Sequence, residues 1–312
     1  IGSGPFTVAD FQPGHSLKLA RSDTYHGTKA ASNVVEFMQY SDADALSKAL
    51  TDGSLDMAAP VSASTATGLN GKDGLTVKEG ATTDKVLLAY NNGTDSLLSD
   101  EQARKAFRYQ IDAAGIASAQ PDAAGALGGP ISPLEPGYED LTGLYPHDEN
   151  QAGQMFSYFG AQYLTTVNLV VPEEYRSLAE TIKQQIERQP RPTVNLEVLS
   201  DEDYAKRIKD GKWELTVMSM DGTDDAGIFA DPDSMFHYDH TEAQQAYADA
   251  RAATNDADYE ARMKAYARLI SEDAASDWLY TRKCFTVAST KVSGYPTSMI
   301  NRRMPLAGLT VK

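Results

Sequence analysis

The chain has 312 residues, 41% of them hydrophobic, and a formal net charge of −16 at pH 7. That length suits about two domains of ~150 residues each. The charge excludes nucleic-acid binding, which needs clustered Lys and Arg to release counterions from phosphates. It also argues against docking on an anionic membrane surface, and fits solubility or attraction of cationic ligands. No stretch approaches the ~18 unbroken apolar residues of a membrane span.

The opening residues Ile1-Gly2-Ser3-Gly4-Pro5 contain neither a starting Met nor a signal peptide, so the natural beginning is expected upstream. Pro5 removes an amide that a phosphate cradle would use, so this stretch reads as the turn into a strand. Next, Phe37–Tyr40 reads as a strand and Ser41 as the N-cap of a helix, with Asp44 completing a capping-box-like pattern. Leu46, Ala49 and Leu50 share one face, Gly53 suits the left-handed C-terminal position, and Leu55-Asp56-Met57 begins another strand.

Ser99-Asp100-Glu101-Gln102 is a second capping box, followed by Ala103, Phe107 and Ile111 at helical spacing. Residues Ala123 to Gly137 are rich in Gly and Pro and read as an ordered loop. Leu178, Ile182 and Ile186 stripe a helix that ends near Pro190-Arg191-Pro192.

The first strand–helix–strand pattern then returns. Leu196–Leu199 is followed by Ser200 as N-cap, Asp203 three residues on, Tyr204 and Ile208 on one face, then Gly211 and the strand from Leu215. Short connections around such helices imply strand–helix–strand units on parallel sheets. Two such units about 160 residues apart suggest two α/β lobes, with chance similarity as the rival reading.

The acidic run Asp221-Gly222-Thr223-Asp224-Asp225 follows directly on the second strand. It lacks the regular ligand spacing of a calcium loop. Loops at the carboxyl ends of parallel strands are where open α/β sheets bind ligands, so a cation-binding loop and a solvated acidic loop both fit. His237-Tyr238-Asp239-His240 has imidazole and carboxylate groups suited to zinc or nickel, but reads better as a polar loop before a helix. Met263, Tyr266 and Ile270 stripe that region's longer helix, and the single cysteine, Cys284, sits in a strand-like run as a small buried residue. No Gly-x-Ser-x-Gly elbow, His-Glu-x-x-His helix or Walker loop occurs, and no nucleophile–base pairing shows. No enzyme activity, catalytic residue, cofactor or metal is therefore expected.

Taken in order, these segments resemble the family 5 extracellular solute-binding proteins. The resemblance rests on Gly2 to Val8 with Pro13-Gly14 and Leu17 to Tyr25, on Ala45 to Met57, on Leu88-Ala89-Tyr90-Asn91 with Asp100 to Asp112, on Tyr145 to Gly160, on Ala179 to Trp213, and on Asp231-Pro232-Asp233. Two residues depart from the pattern: His26 stands in place of a usual Trp, and Met220 near a usual aromatic. The long segment that precedes the glycine-rich opening in the family is also missing.

The resemblance implies an α/β, bilobal fold of the periplasmic-binding-protein type (type II) with lobe one incomplete. It divides the chain into 1–87 (lobe one, partial), 88–280 (lobe two) and 281–312 (return to lobe one). It further implies the substrate-binding component of an ABC transporter, extracytoplasmic and lipid-anchored at full length, that captures peptides in a cleft between lobes and delivers them to membrane subunits. A receptor for a metal chelate or other small solute, or a non-transport signalling protein, are the alternatives of the same fold. In peptide binders of the family, an Asp after the second-lobe strand pairs with the peptide's α-ammonium. The matching residue is Asp224, then Asp221 or Asp225. Without its opening segment, lobe one is expected to lack strands of its sheet, with either self-association through the exposed edge or a covered edge, and the chain to bind peptide poorly by itself.

Overall fold

A computed structural model describes residues 2–160 and 166–312. The chain divides into two compact units, Ile1–Ala81 with Lys283–Lys312, and Thr82–Arg282.

The first unit holds β1 (Phe6–Gln12), β2 (Ser16–Arg21) and β3 (Val34–Met38), then α1 (Ala43–Asp52), β4 (Met57–Val61) and α2 (Ala63–Leu69). It also holds the beginning of β5 (Leu75–Tyr90), which continues into the second unit. The second unit continues with α3 (Glu101–Gln110), α4 (Ala113–Ala119), β6 (Ala123–Ala126), α5 (Glu149–Gly160), β7 (Thr166–Pro172) and α6 (Arg176–Ile186). Then come β8 (Thr193–Leu199), α7 (Asp201–Lys209), β9 (Leu215–Met220), α8 (Thr241–Arg251) and α9 (Asp256–Glu272). The chain returns through β10 (Ser276–Ser289) to the short strands β11 (Val292–Ser293) and β12 (Thr310–Val311) of the first unit.

In the second unit β9 lies beside β7 and β7 beside β8, both parallel, while the end of β5 runs antiparallel to β9 from Lys85 opposite Met220 to Tyr90 opposite Leu215. Segment 193–220 is therefore a parallel crossover: β8, α7, then β9 two positions across the sheet. Parallel strands are buried on both faces. Accordingly Val167, Leu169, Val170 and Val171 of β7 and Leu215 and Val217 of β9 are fully buried, and so are Val86 to Tyr90 of the antiparallel neighbour β5. The helices α3 and α6 cover one face, with Phe107, Leu178, Ile182 and Ile186 in one core. Met263, Tyr266, Ile270 and Trp278 belong to the core on the other face.

The first strand–helix–strand segment is built otherwise, which corrects the expectation of a parallel unit there. β3 pairs antiparallel with β2, which pairs antiparallel with β1. β4 belongs to a different sheet, antiparallel to the end of β10. α1 thus links two sheets. Caps and glycines specify where a helix starts and stops, but not which strands its flanking segments join. Leu50, Val61, Ala66, Leu69 and Val287 make the small core of this unit.

Two caps also differ from the sequence reading. Asp42, not Ser41, caps α1, accepting from the amides of Asp44 and Ala45 at 2.8 and 2.9 Å. Asp100, not Ser99, caps α3 through the amides of Gln102 and Ala103. A carboxylate satisfies two free amides and brings charge to the positive helix end. Ser200 does cap α7: its hydroxyl accepts from the Asp203 amide and donates to the Asp203 carboxylate. Gly53 closes α1 at φ +79°, a backbone conformation that costs glycine nothing. The Gly/Pro-rich loop at 123–137 begins with a short strand, β6, antiparallel to β10. Cys284 lies in β10, buried.

Candidate functional site

The candidate site is the acidic loop that leaves the carboxyl end of β9. Four elements of the second unit hold it: the end of β5, the loop between β6 and α5, and the helices α8 and α9.

The β5–β9 register places Lys85 directly opposite Met220, so its side chain meets the loop where the strand ends. The Lys85 side chain is only 1% exposed. Its ammonium lies 2.8 Å from Glu135 Oε2 and 3.0 Å from Asp225 Oδ1, and it donates to the carbonyls of Thr83 and Gly222, both at 3.1 Å. Glu135 also accepts from the Ser132 amide at 2.8 Å, and Asp225 from the Gly222 amide at 2.9 Å. A buried ammonium is tolerated only when paired and hydrogen-bonded, and here each requirement is met. Burial pushes the Asp225 carboxyl up to about 6, against the pull of Lys85 toward the ionised form.

Asp224 is in another environment. Its side chain is 47% exposed and accepts from the Tyr247 hydroxyl and from Arg251 Nη1, each at 3.1 Å. Both partners stand on α8. Burial, then the neighbouring Asp224 charge, pushes the Tyr247 phenol up to about 12, so it remains a proton donor to that carboxylate. A Cβ on Gly227 would come within 2.3 Å of the Tyr247 hydroxyl, so glycine leaves the room this contact needs. The Asp221 carbonyl accepts from the Thr83 hydroxyl at 3.0 Å. Further along, the buried Tyr266 hydroxyl donates to the Ala226 carbonyl at 2.8 Å. The loop is therefore tied at both ends, with Asp224 outward between the ties.

The three predicted acids thus sit on one loop but in unlike surroundings. Lys85, Glu135, Tyr247 and Arg251 were not singled out from the sequence. Lys85 carried one signal, a cation entering the apolar run Val86-Leu87-Leu88-Ala89-Tyr90. His240 caps α8 through Nδ1 and stacks on Tyr238. Among the described residues, no group of three or more His, Cys, Asp or Glu could hold a metal ion, and no helix is long and apolar enough to cross a membrane.

The parallel crossover, with the loop at its strand end, is an α/β arrangement, and likeness to solved structures identifies it as the periplasmic-binding-protein fold. The chain matches the substrate-binding protein CtaP of an ABC transporter from Listeria monocytogenes with a TM-score of 0.86 at 16% identity, covering 99% of this chain and 67% of that one. It matches the oligopeptide-binding protein AppA from Bacillus subtilis, solved with a nonapeptide, with a TM-score of 0.74 at 17% identity, covering 100% and 67%. It matches NikA from Brucella suis, solved with Fe(III)-EDTA, with a TM-score of 0.80 at 16% identity, covering 100% and 68%. The chain spans about two thirds of the length of these structures.

Residues 1–247 match the description "Bacterial extracellular solute-binding proteins, family 5 Middle". The chain belongs to the family 5 bacterial extracellular solute-binding proteins, a family of binding proteins and not of enzymes. No curated protein is matched by the sequence.

Proposed function

We propose that this chain is the solute-capturing part of an extracytoplasmic receptor for an ABC importer, that its solute is a peptide, and that Asp224 receives the peptide's α-ammonium. Asp221 is the second choice and Asp225 the third. The observation that carries the reading is the contrast within the loop. Asp224 is half-exposed and held by a surface ion pair, which is worth about 0–1 kcal/mol and exchanges readily. An incoming ammonium can take the place of Arg251 on that carboxylate and make a charge-assisted bond, roughly twice as strong as a neutral one.

The peptide-bound AppA structure supports a peptide as solute. The membrane subunits of an importer are the partners proposed for the whole receptor, and a lipid anchor its attachment at full length. The test is calorimetric titration of free tripeptides, the same tripeptides N-acetylated, and Fe(III)-EDTA. Free peptides should bind, acetylated ones about tenfold or more weakly. Equal affinity for both peptide forms defeats the ammonium contact. Binding of Fe(III)-EDTA alone would move the protein to the chelate receptors, the second reading, which the likeness to NikA supports.

A further inference from the structure

The network behind the acidic loop joins three separate stretches of chain through one ammonium. Lys85 comes from β5, Glu135 from the loop after β6, and Asp225 and the Gly222 carbonyl from the loop after β9. Each carboxylate is bound in turn to a backbone amide of its own loop, Ser132 or Gly222. The ammonium therefore couples two loop backbones and not merely two side chains. Fully apolar packing at such a position is commonly as stabilising as a buried ion pair, or more so. What the charged network adds is a defined geometry.

We infer that Lys85 is a positioning residue for ligand capture: by drawing the Gly222 carbonyl and the Asp225 carboxylate onto Glu135, it sets the backbone from which Asp224 and Asp221 meet a ligand. The inference rests on the reading that this loop receives a ligand ammonium, and it sharpens that reading. Asp225 has its charge committed inside the protein, so the ligand's partner is Asp224 or Asp221. The charged groups facing Asp225 are Lys85 and Glu135, with Asp224 beside it in the chain. Protonating Asp225 slackens the grip of Lys85 on the loop, so peptide affinity should fall as pH drops through the range in which Asp225 titrates.

The test uses the receptor at full length, its Asp225→Asn variant, and the triple variant Lys85→Met with Asp225→Asn and Glu135→Gln, which removes all three charges of the network and so spares the fold an unpaired ion. Hydrogen exchange of residues 219–230, with α6 as internal reference, reads the anchoring. Titration with a defined tripeptide pool from pH 5 to 8 reads capture. In the triple variant, loop exchange should quicken about tenfold or more while α6 is unchanged, and affinity should fall about tenfold or more. The wild-type affinity should weaken from pH 7 to 5, and that of Asp225→Asn should be flat, a difference that a purely structural role would not produce. Unchanged loop exchange overturns the inference, and so does a loosened loop with unchanged affinity. A wild type that binds no tripeptide overturns the peptide reading instead. Loop exchange then decides the anchoring alone, quickened exchange upholding it and unchanged exchange overturning it.

Discussion

Segments 34–61 and 193–220 carry nearly the same local instructions and do different work. Each has a strand, an acid-rich capped helix, a glycine and a second strand. In 193–220 both strands enter one sheet in parallel, and the second, β9, is buried at Leu215, Thr216, Val217 and Met220 before it releases the acidic loop. In 34–61 the strands enter different sheets, and β3 leaves Val34, Phe37 and Met38 at 48%, 45% and 40% exposure. The lesson is that burial of the flanking strands, not the cap-and-glycine pattern, decides whether such a segment becomes the frame of a site.

Substitutions in the two segments put that contrast to the test. Leu215→Ala should cost about 3 kcal/mol in denaturant unfolding, because Leu215 is fully buried between β5 and β7 and the cavity cannot collapse. Val35→Ala, half-buried in β3, should cost less than about 1 kcal/mol. Equal costs would end the distinction.

A pH effect is confined to the second unit. Burial raises the Asp225 carboxyl to about 6 and, for Asp277 beside Arg108, to about 7. Groups raised in the folded state bind protons on folding, so their stabilisation is full below the unfolded value and is lost as pH rises through the folded one. Stability should therefore fall between about pH 4 and 7, by up to about 1.4 kcal/mol per pH unit for each proton taken up. Asp277→Asn should flatten the upper part of that slope and Asp225→Asn the lower part. A wild-type stability that rises steadily over this range would contradict both assignments.

Cap substitutions come third. Asp42→Ala and Ser200→Ala should each cost about 1 kcal/mol, whereas Ser41→Ala should stay within about 0.5 kcal/mol. A reversal between Ser41 and Asp42 would restore the cap read from sequence. Smallest of all, Arg251→Ala should change stability by less than about 1 kcal/mol, since its pair with Asp224 is exposed. A larger loss would make that pair structural and weaken the case that a ligand exchanges for it.

Much of the helical framework was legible because its signals are local. The stripe Leu178, Ile182, Ile186 and the left-handed Gly53 are read within one or two turns of chain. The site was legible only as composition. Asp221, Asp224 and Asp225 stood out as an acidic run after a strand, but their different environments depend on Lys85 and Glu135, which lie 140 and 90 residues before Asp225 in the chain. Nothing within the run distinguishes an acid committed to a buried lysine from one shared with a surface arginine. Likewise the partners of β3 are chosen by β1 and β2, not by the helix that follows it. Ala123 to Gly137 read as a loop because its strand is four residues of Ala and Gly, whose pairing depends on β10.

The order in which the chain visits its two units bears on how it is made. The second unit is one uninterrupted stretch, Thr82–Arg282, whereas the first is assembled from both ends. The Ala31 amide donates to the Ala307 carbonyl at 2.8 Å, the Ser32 hydroxyl to the Leu309 carbonyl, and β4 needs the end of β10 as its partner. On a ribosome, the inserted unit can close while the earlier one still waits for its last thirty residues. Until they emerge, β4 and the strands β1 to β3 are carried without the contacts that finish their unit. The nesting makes residues 1–81 finish after the unit that follows them, the reverse of the usual vectorial order.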